Sequence, residues 1–588
     1  MALTKVTNSM IAGAVVNVKD FGAVGDGIAD ESSAIKAAID SLATTGGTVY
    51  FPPGDYVIAN TIIASSANVV FDMNKQYIAF KSTFQPIDPI TNVPITGTDY
   101  ELYPVMFAVT NDNCTFINGN FHQGNYTLST QFIWGADSNP STGSNVKNLR
   151  VLNCDFYDCL YVAGQQGVPI LSRPSCSETV VDKCYFYDCK AAVVIQGPNS
   201  TISNCKSINV TPNGGTDSMF SIDDGDNNSI INCFVSKNAT AAQSGNIIEV
   251  GIVTDYLVQG NIVVGLTGGV GIENLIISGV ISGTNGIIAD NIVDGGGLTA
   301  VGSLSFIKVV QGNSIEIRNN LLRNPAINAP IQNGIGITVS GSNLTIKGNR
   351  VFLGSNDKIL TAINVEQGTN TGPFYIEDNQ VVTFAVGLTI GGGTDNGGYI
   401  VQVNNNTFID MLTAITSNFT GRNVKFYMEN NTFDPNLLNP GVNVFPYTRS
   451  FAQGAGAYPH RINKRKVFYG PEEPTVTNYS NSSWEIGDTV YNIYPAVGSP
   501  IGWKCTVTGT FTAAATTGGI TIATKSLVVA SASGFEVGDY ITIAGVSGTK
   551  QIMVIVGTTF TIDSNADATV AAAAVVTPVP VFTAMANL

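Results

Sequence analysis

Apolar and polar positions alternate along this chain in short bursts, and the bursts repeat. Segments such as RVLNCDF, SIINCFV, LTIKGNRVF and YIEDNQVV each place a few Val, Ile or Phe residues around one small or polar residue. That residue recurs as Cys154, Cys184, Cys205, Cys233, Gly260, Asp290, Asn320, Asn349, Asn379, Asn406 and Asn431, at intervals of 21 to 30 positions. Repetition at a period of this size marks a solenoid, in which each repeat buries its apolar face against its neighbours. The bursts are too short and too β-branched for helices, so the repeats read as β-coils.

Each coil holds three pieces. A first strand ends at the recurring residue, a short second strand follows, and a third strand comes after a variable loop. The third strands read VVIQG (193–197), FSIDD (220–224), IIEVG (247–251), FIKVV (306–310), IGITV (335–339), AINVE (362–366) and GLTIG (387–391). Alternation sends one set of side chains inward and the other outward. The outward set is Val194, Ser221, Asp223, Glu249, Lys308, Thr338, Asn364 and Thr389. Ser221 is expected opposite Glu249, which puts Asp223 on the diagonal.

Upstream of the coils, Asp30 is the expected N-cap of a helix that carries Ile35, Ala38, Ile39 and Leu42 on one face and stops at Gly46. Such a helix covers the open end of a solenoid, where apolar core and strand edge would otherwise meet water. Residues 1–16 read as a leader, 17–460 as the solenoid and 461–588 as a separate β region. The basic segment around Arg461, Lys464, Arg465 and Lys466 marks that last boundary. Beyond it SSWEIGDTVYN, GWKCTV and GFEVGDYITIAGV read as hairpins of one or two small β-domains, with Trp484 and Trp503 in their cores.

Composition supports this picture. A chain of 588 residues exceeds one globular core, whereas a solenoid grows along its axis. Charged residues make up 12% and there are 62 glycines, so strand and loop dominate. The net charge is −15, and the 461–466 segment reads as a solvated linker, which argues against nucleic-acid binding. No apolar run reaches the length of a membrane span, because Pro578 and Pro580 interrupt the Ala- and Val-rich stretch near 570–581. The first residues show no charged-then-apolar secretion signal. Cysteine is odd in number, nine, and four lie on the recurring column. They read as stacked reduced thiols of a protein assembled in a reducing cytosol.

The segment VNVKDFGAVGDGIADESSAIKAAIDS, followed by GGTVYFPPGDYVI, resembles the opening of the pectate-lyase-like right-handed parallel β-helix superfamily, above all its bacteriophage tailspike branch. The segment SSWEIGDTVYN…GWKC is similar to C-terminal modules of phage tail proteins. The resemblance implies an all-β protein: a parallel β-helix with a short N-terminal capping helix and small C-terminal β-domains for trimerisation or carbohydrate binding. It also implies a homotrimer in the virion tail that binds and depolymerises a bacterial capsule or O-antigen. Tailspikes carry a virion-binding domain before the β-helix, so attachment is expected through the short leader or through a domain outside this sequence.

Glycoside hydrolysis needs two carboxyl groups, one to protonate the leaving oxygen and one to activate water or attack the anomeric carbon. Glu249 and Asp223, outward on neighbouring third strands, are the candidate pair, and Asp224 is a third candidate. DDGDN, which includes Asp226, also reads as a simple turn. IDDG resembles the adjacent Asp pair of polygalacturonases, but the His-containing and Arg-x-Lys motifs of that family are missing, so pectin is not supported as substrate. Lys308, Tyr126, Trp134, Tyr161, Arg173 and Asn364 are candidate sugar contacts, and His122 is a lesser one. A lyase is the enzymatic alternative, with Lys308 or Arg173 neutralising a uronate. A non-catalytic adhesin or tail fibre is the alternative of another class. No cofactor and no metal site are expected.

Overall fold

The computed structural model describes residues 13–88, 92–95, 105–127, 131–135, 145–159, 167–189, 191–208, 218–236, 245–251, 253–264, 272–278, 284–295, 305–323, 335–352, 361–366, 373–391, 400–418, 425–433, 467–470, 473–474, 483–484, 487–492, 498–507, 509–510, 516–533, 535, 537, 540–578 and 580–586. The chain divides into two compact units, Met1–Ala362 and Ile363–Leu588. The leader before residue 13, His460, the basic segment at 461–466 and the expected boundary at 460/461 lie outside the described residues.

In the first unit the chain winds as a right-handed parallel β-helix. Its first sheet runs from Ala14–Asn17 to Leu344–Lys347, every pairing parallel and one coil apart. The second stacks Asn120–His122, Asp155–Tyr157, Tyr185–Tyr187 and their successors to Arg350–Phe352. The third stacks Gln131–Gly135, Ile170–Ser172, Val193–Ile195, Phe220–Ile222, Gly245–Val250, Ile272–Ser278, Ser305–Asn313 and Ile335–Ser342. Side chains inside the coils form continuous columns. Phe121, Phe156 and Phe186 stack with centroids 5.0 and 5.1 Å apart and ring planes within 9°.

The recurring column holds, with one correction. Cys154, Cys184, Cys205, Cys233, Asn320 and Asn349 are buried members, but Gly260 and Asp290 are not. The column passes instead through their neighbours Asn261 and Asn291, both fully buried. Asn261 Oδ1 accepts from the Cys233 N–H at 2.9 Å, Asn291 Oδ1 from Asn261 N–H at 2.9 Å, and Asn320 Oδ1 from Asn291 N–H at 3.0 Å. Each Nδ2 donates onward, as Asn291 does to Val258 O at 3.0 Å and Asn320 Oδ1 at 2.9 Å.

Gly260 and Asp290 belong to a second column, one residue earlier. Asn153, Lys183, Asn204, Asn232, Gly260, Asp290, Asn319 and Gly348 all adopt left-handed backbone, with φ between 53° and 68°. Gly, Asn and Asp tolerate that conformation best. Two adjacent columns therefore favour overlapping residue types, and their sequence signatures merge.

All nine cysteines are buried free thiols. Cys184 Sγ donates to Val151 O at 3.4 Å and Cys205 Sγ to Val181 O at 3.7 Å, each reaching the neighbouring coil much as Asn Nδ2 does further along. Burial holds the Cys154, Cys184 and Cys205 thiols well above their ordinary range.

Helix α1 (Ser32–Asp40) buries Ile35, Ala38 and Ile39 completely, together with Leu42 just beyond it, and packs on the strands Asp55–Asn60 and Ile62–Ala64. Glu31, not Asp30, occupies the cap position. Its buried carboxylate turns away from the helix and accepts the backbone N–H groups of Val24 and Gly25 at 2.8–3.2 Å. Asp30 accepts from Ser32 N–H at 3.0 Å and Ala59 N–H at 3.1 Å, tying helix to coil. The helix terminates through a turn that closes on Gly46, at φ 62°, where an added Cβ would meet Asn68 O at 2.6 Å.

The second unit carries parallel strands of the same kind. Phe374–Glu377, Ile400–Asn404 and Lys425–Glu429 pair in register, and Asn379, Asn406 and Asn431 form an amide column within this unit by Oδ1 to N–H bonds of 2.9 and 2.8 Å. Towards its end lie a four-stranded sheet (Val467–Gly470, Thr489–Asn492, Gly502–Val507, Val581–Ala584) and a closed barrel of six strands within 516–578. Leu527, Ile541, Ile552, Phe560 and Val576 fill the barrel. Trp484 and Trp503 are buried, as expected of small-domain core.

Candidate active site

The third sheet sets the register of the candidate residues. Trp134, Leu171, Val194, Ser221, Glu249, Ile277, Lys308 and Thr338 are consecutive partners across eight strands. The strand Ile272–Ser278 had not stood out in the alternation, and it inserts one coil between Glu249 and Lys308. Ser221 pairs with Glu249 as expected. Asp223 lies two residues further along its chain, and Gly251 stands beside it, so close that an added Cβ would sit 2.4 Å from Asp223 O. The Cα diagonal from Asp223 to Glu249 is then about 7–8 Å.

Both carboxylates are held. Ser218, 2% exposed, donates its hydroxyl to Glu249 Oε2 at 2.5 Å. The Ser221 hydroxyl donates to Asp223 Oδ1. The side-chain amide of Gln196, on the preceding coil, also bonds Asp223. Asp223 is open to solvent at the surface, yet protein surrounds most of it. That desolvation pushes its carboxyl above the ordinary value, and the charges of Glu249 and Asp224 add to the rise, while the Ser221 and Gln196 bonds oppose it. Such a group keeps its proton to higher pH than an ordinary aspartate.

Gln196 presents one further polar atom. Its Oε1 is buried with no hydrogen-bond partner among the described residues. Sequence reasoning missed Ser218 and Gln196 as members of the site. Gln196 stood in the third strand VVIQG, directly before Asp223 in its column, and that was the available signal. Ser218 lies at the loop exit, where no pattern applies.

The other candidates separate. Asp224 is a turn residue: its Oδ1 accepts from Gly225 N–H at 2.8 Å, and Asn228 Nδ2 braces the same turn at Asp224 O (3.2 Å) and Gly225 O (2.9 Å). Its charge stands beside Asp223. Tyr126 is 7% exposed and packs on Phe80 and Phe84 at 5.7 and 5.6 Å, so it belongs to the core instead of offering a face to sugar. Trp134, 2% exposed, is likewise no open platform; the Arg173 guanidinium lies 5.1 Å over its ring. Lys308 is half-buried between the buried Ile307 and Val309. Asn364 sits half-buried on Thr361–Val365, at the start of the second unit. Tyr161 lies outside the described residues. His122 is on the second sheet, half-buried, stacked on Tyr157 at 4.6 Å and bonded to Asn120 Oδ1 at 2.9 Å, apart from the third-sheet pair. Among the described residues no three His, Cys, Asp or Glu side chains converge as a metal site.

Residues 15–102 match a family model described as rhamnogalacturonase A/epimerase, pectate lyase-like. The mannuronan C5-epimerase AlgE6 of Azotobacter vinelandii is 61% identical over 44 residues, 7% of this chain and 5% of that enzyme. Alginate lyase 7 of the same organism is 48% identical over 59 residues, 10% of this chain and 7% of the lyase. This chain therefore spans only a small part of the length of these relatives. Among solved structures, a mutant tailspike protein of E. coli bacteriophage HK620 in complex with a pentasaccharide aligns over 96% of this chain and 94% of its own, at 14% identity and a TM-score of 0.44. The Streptococcus pneumoniae surface adhesin PfbA aligns over 71% and 91%, at 14% identity and a TM-score of 0.37. The family match ends more than a hundred residues before Asp223 and Glu249, so the pair is read on its own geometry.

Proposed function

We propose that this chain is a tailspike-type depolymerase, acting as a homotrimer in a phage tail, that hydrolyses internal glycosidic bonds of a bacterial capsule or O-antigen. The observation that carries the reading is the Asp223–Glu249 diagonal. A Cα diagonal of about 7–8 Å is compatible with carboxyl groups held about 6.5–9.5 Å apart, the spacing that leaves room for a water and accompanies hydrolysis with inversion. Asp223, whose proton is held more firmly, is assigned as the acid that protonates the leaving oxygen. Glu249, fixed by Ser218, is assigned as the base that takes a proton from water as it attacks the anomeric carbon from the opposite face.

The lyase alternative fits this arrangement less well. β-Elimination needs a cation against the carboxylate of the sugar that loses its proton. Lys308 stands two coils from Glu249, about 10 Å. Asp223 and Glu249 would instead repel that carboxylate. The adhesin alternative leaves the paired, serine-held acids without a role.

The test is incubation of the purified protein with capsular and O-antigen polysaccharides, followed by a reducing-end assay and ultraviolet spectroscopy. New reducing ends without the absorbance of an unsaturated uronate support hydrolysis. An unsaturated product would show a lyase, and binding without cleavage would show an adhesin.

A further inference from the structure

Carboxylates in this chain are held by two kinds of partner. Glu31 accepts the N–H groups of Val24 and Gly25, Asp224 that of Gly225, and Asp226 that of Thr254 at 3.1 Å. A backbone N–H only donates, so these bonds favour the ionised form and offer nothing to an acid proton. Asp223 differs. Its side chain is held by the Ser221 hydroxyl and the Gln196 amide, and both kinds of group can donate or accept.

The stacking of the coils places that amide. Ile195 and Ile222 are register partners, Gln196 N–H donates to Ser172 O at 2.8 Å, and Asp223 N–H donates to Ile195 O at 2.8 Å. Gln196 therefore stands directly before Asp223 on the same face. Just beyond them Gly225 lies so close to Gly197 that an added Cβ would meet its carbonyl carbon at 2.5 Å, so the two coils meet tightly here. An ionised carboxylate only accepts, so the end of the amide that bonds it is Nε2. The other end, Oε1, is buried with no hydrogen-bond partner among the described residues. A buried acceptor without a donor is costly.

Turning the amide about its terminal bond, where the torsion is soft and nearly two-fold, exchanges its ends. Oε1 then faces Asp223 and Nε2 becomes the unmet end. Each setting satisfies one end and leaves the other, so the two lie close in free energy and the proton on Asp223 decides between them.

We infer that Gln196 is a positioning residue that switches with Asp223: Nε2 donates to the carboxylate, and Oε1 accepts from the carboxylic acid. The inference rests on the reading of Asp223 as the acid of the hydrolysis. The proton passes from Asp223 to the leaving oxygen as the glycosidic bond breaks, and the carboxylate left behind takes the Nε2–H bond. Glu249 takes one proton from the attacking water, and that proton returns through solvent to Asp223. The charged groups facing Asp223 are Glu249 on the next coil and Asp224 in its own turn. The Arg173 guanidinium, on the coil before Gln196, lies over Trp134.

The test uses the full chain with Gln196→Met, which keeps neither end, and Gln196→Glu, which keeps only acceptors. Ionisation of Asp223 is read without substrate, as the pH at which the unfolding temperature of each protein departs from that of the same protein carrying Asp223→Asn. The kcat profile on a cleaved polysaccharide is measured separately. In Gln196→Glu both profiles are expected to move up by about one pH unit, because two acids then share a proton. In Gln196→Met both states of Asp223 lose a bond, so the midpoint is expected to stay near wild type while kcat falls about tenfold with KM unchanged. A midpoint in Gln196→Met raised as far as in Gln196→Glu would show a one-way donor and overturn the switch. An unmoved profile in Gln196→Glu, or a wild-type kcat in Gln196→Met, would overturn it too. Unfolding profiles that behave as expected, with a kcat profile that ignores them, would keep the switch and remove Asp223 as the acid. Cleavage that needs Asp223 but is indifferent to both Gln196 variants would do the reverse.

Discussion

Ser221 lies directly opposite Glu249 on adjacent parallel strands, and Asp223, two residues beyond Ser221, shares its side of the sheet. One pairing thus sets the distance between two carboxylates that are 26 positions apart in sequence. It also gives each acid its own serine, Ser221 for Asp223 and Ser218 for Glu249. A slip of one residue would turn one acid into the coil, so register is part of the chemistry.

If Glu249 is the base, the serine that bonds it acts as a positioning residue. Ser218→Ala removes one hydrogen bond to a charged group, about 1.5 kcal/mol, which corresponds to roughly tenfold in kcat. KM is expected to stay near the wild-type value, and Ser218→Thr to restore most of the rate. Steady-state kinetics on a cleaved polysaccharide decide this. An unchanged kcat in Ser218→Ala would show that the bond only fills space.

Asp223 sets an expected pH dependence of both activity and stability. Its carboxyl is raised, chiefly by desolvation, so the folded state favours the protonated form. The stability that this preference contributes is fully present below the ordinary aspartate value and is lost as pH rises through the shifted one. Asp223→Asn keeps a neutral side chain at every pH. It is therefore expected to unfold at a higher temperature than wild type near neutral pH, and the advantage is expected to vanish in acid. Scanning calorimetry of both proteins across that range checks the sign. The acid role gives the same direction for rate, which is expected to fall as pH rises through the shifted value.

The two neighbouring columns make opposite expectations for adjacent residues. Asn291→Ala deletes buried bonds to Val258, Asn261 and Asn320, and is expected to cost about 3 kcal/mol. Asp290→Gly changes an exposed residue with φ 57° to the residue that tolerates this conformation best, and is expected to stay within about 0.5 kcal/mol of wild type. Unfolding midpoints of the two variants, measured side by side, separate the columns. Equal losses would mean that the amide column is not what holds these coils together.

These columns also show what was legible in the sequence. The strand periodicity, the inward Cys and Asn residues and the Ser221–Glu249 pairing follow from alternation, because burial on one face of a strand leaves a period of two. The one-residue error at Gly260 and Asp290 arose where a left-handed turn residue and a buried amide sit side by side and draw on the same few residue types. The coil at Ile272–Ser278 was missed because ENLIIS lacks a clean alternation. Tyr126 and Trp134 looked like sugar contacts because they flank long loops. Whether an aromatic residue faces solvent or core there depends on how the loop returns, and that is tertiary information. Ser218 was illegible for the same reason.

The most direct test of the catalytic pair measures cleavage by wild type, Glu249→Gln and Asp223→Asn on one polysaccharide that all three bind. Reducing ends give the rate, and proton NMR of the first products gives the anomeric configuration. Expected are inverted products from wild type and rates lower by about 10²- to 10⁴-fold in each variant, with binding intact. A wild-type rate in either variant, or products that retain configuration, would contradict the assignment of Asp223 and Glu249 as the acid and base of an inverting hydrolase.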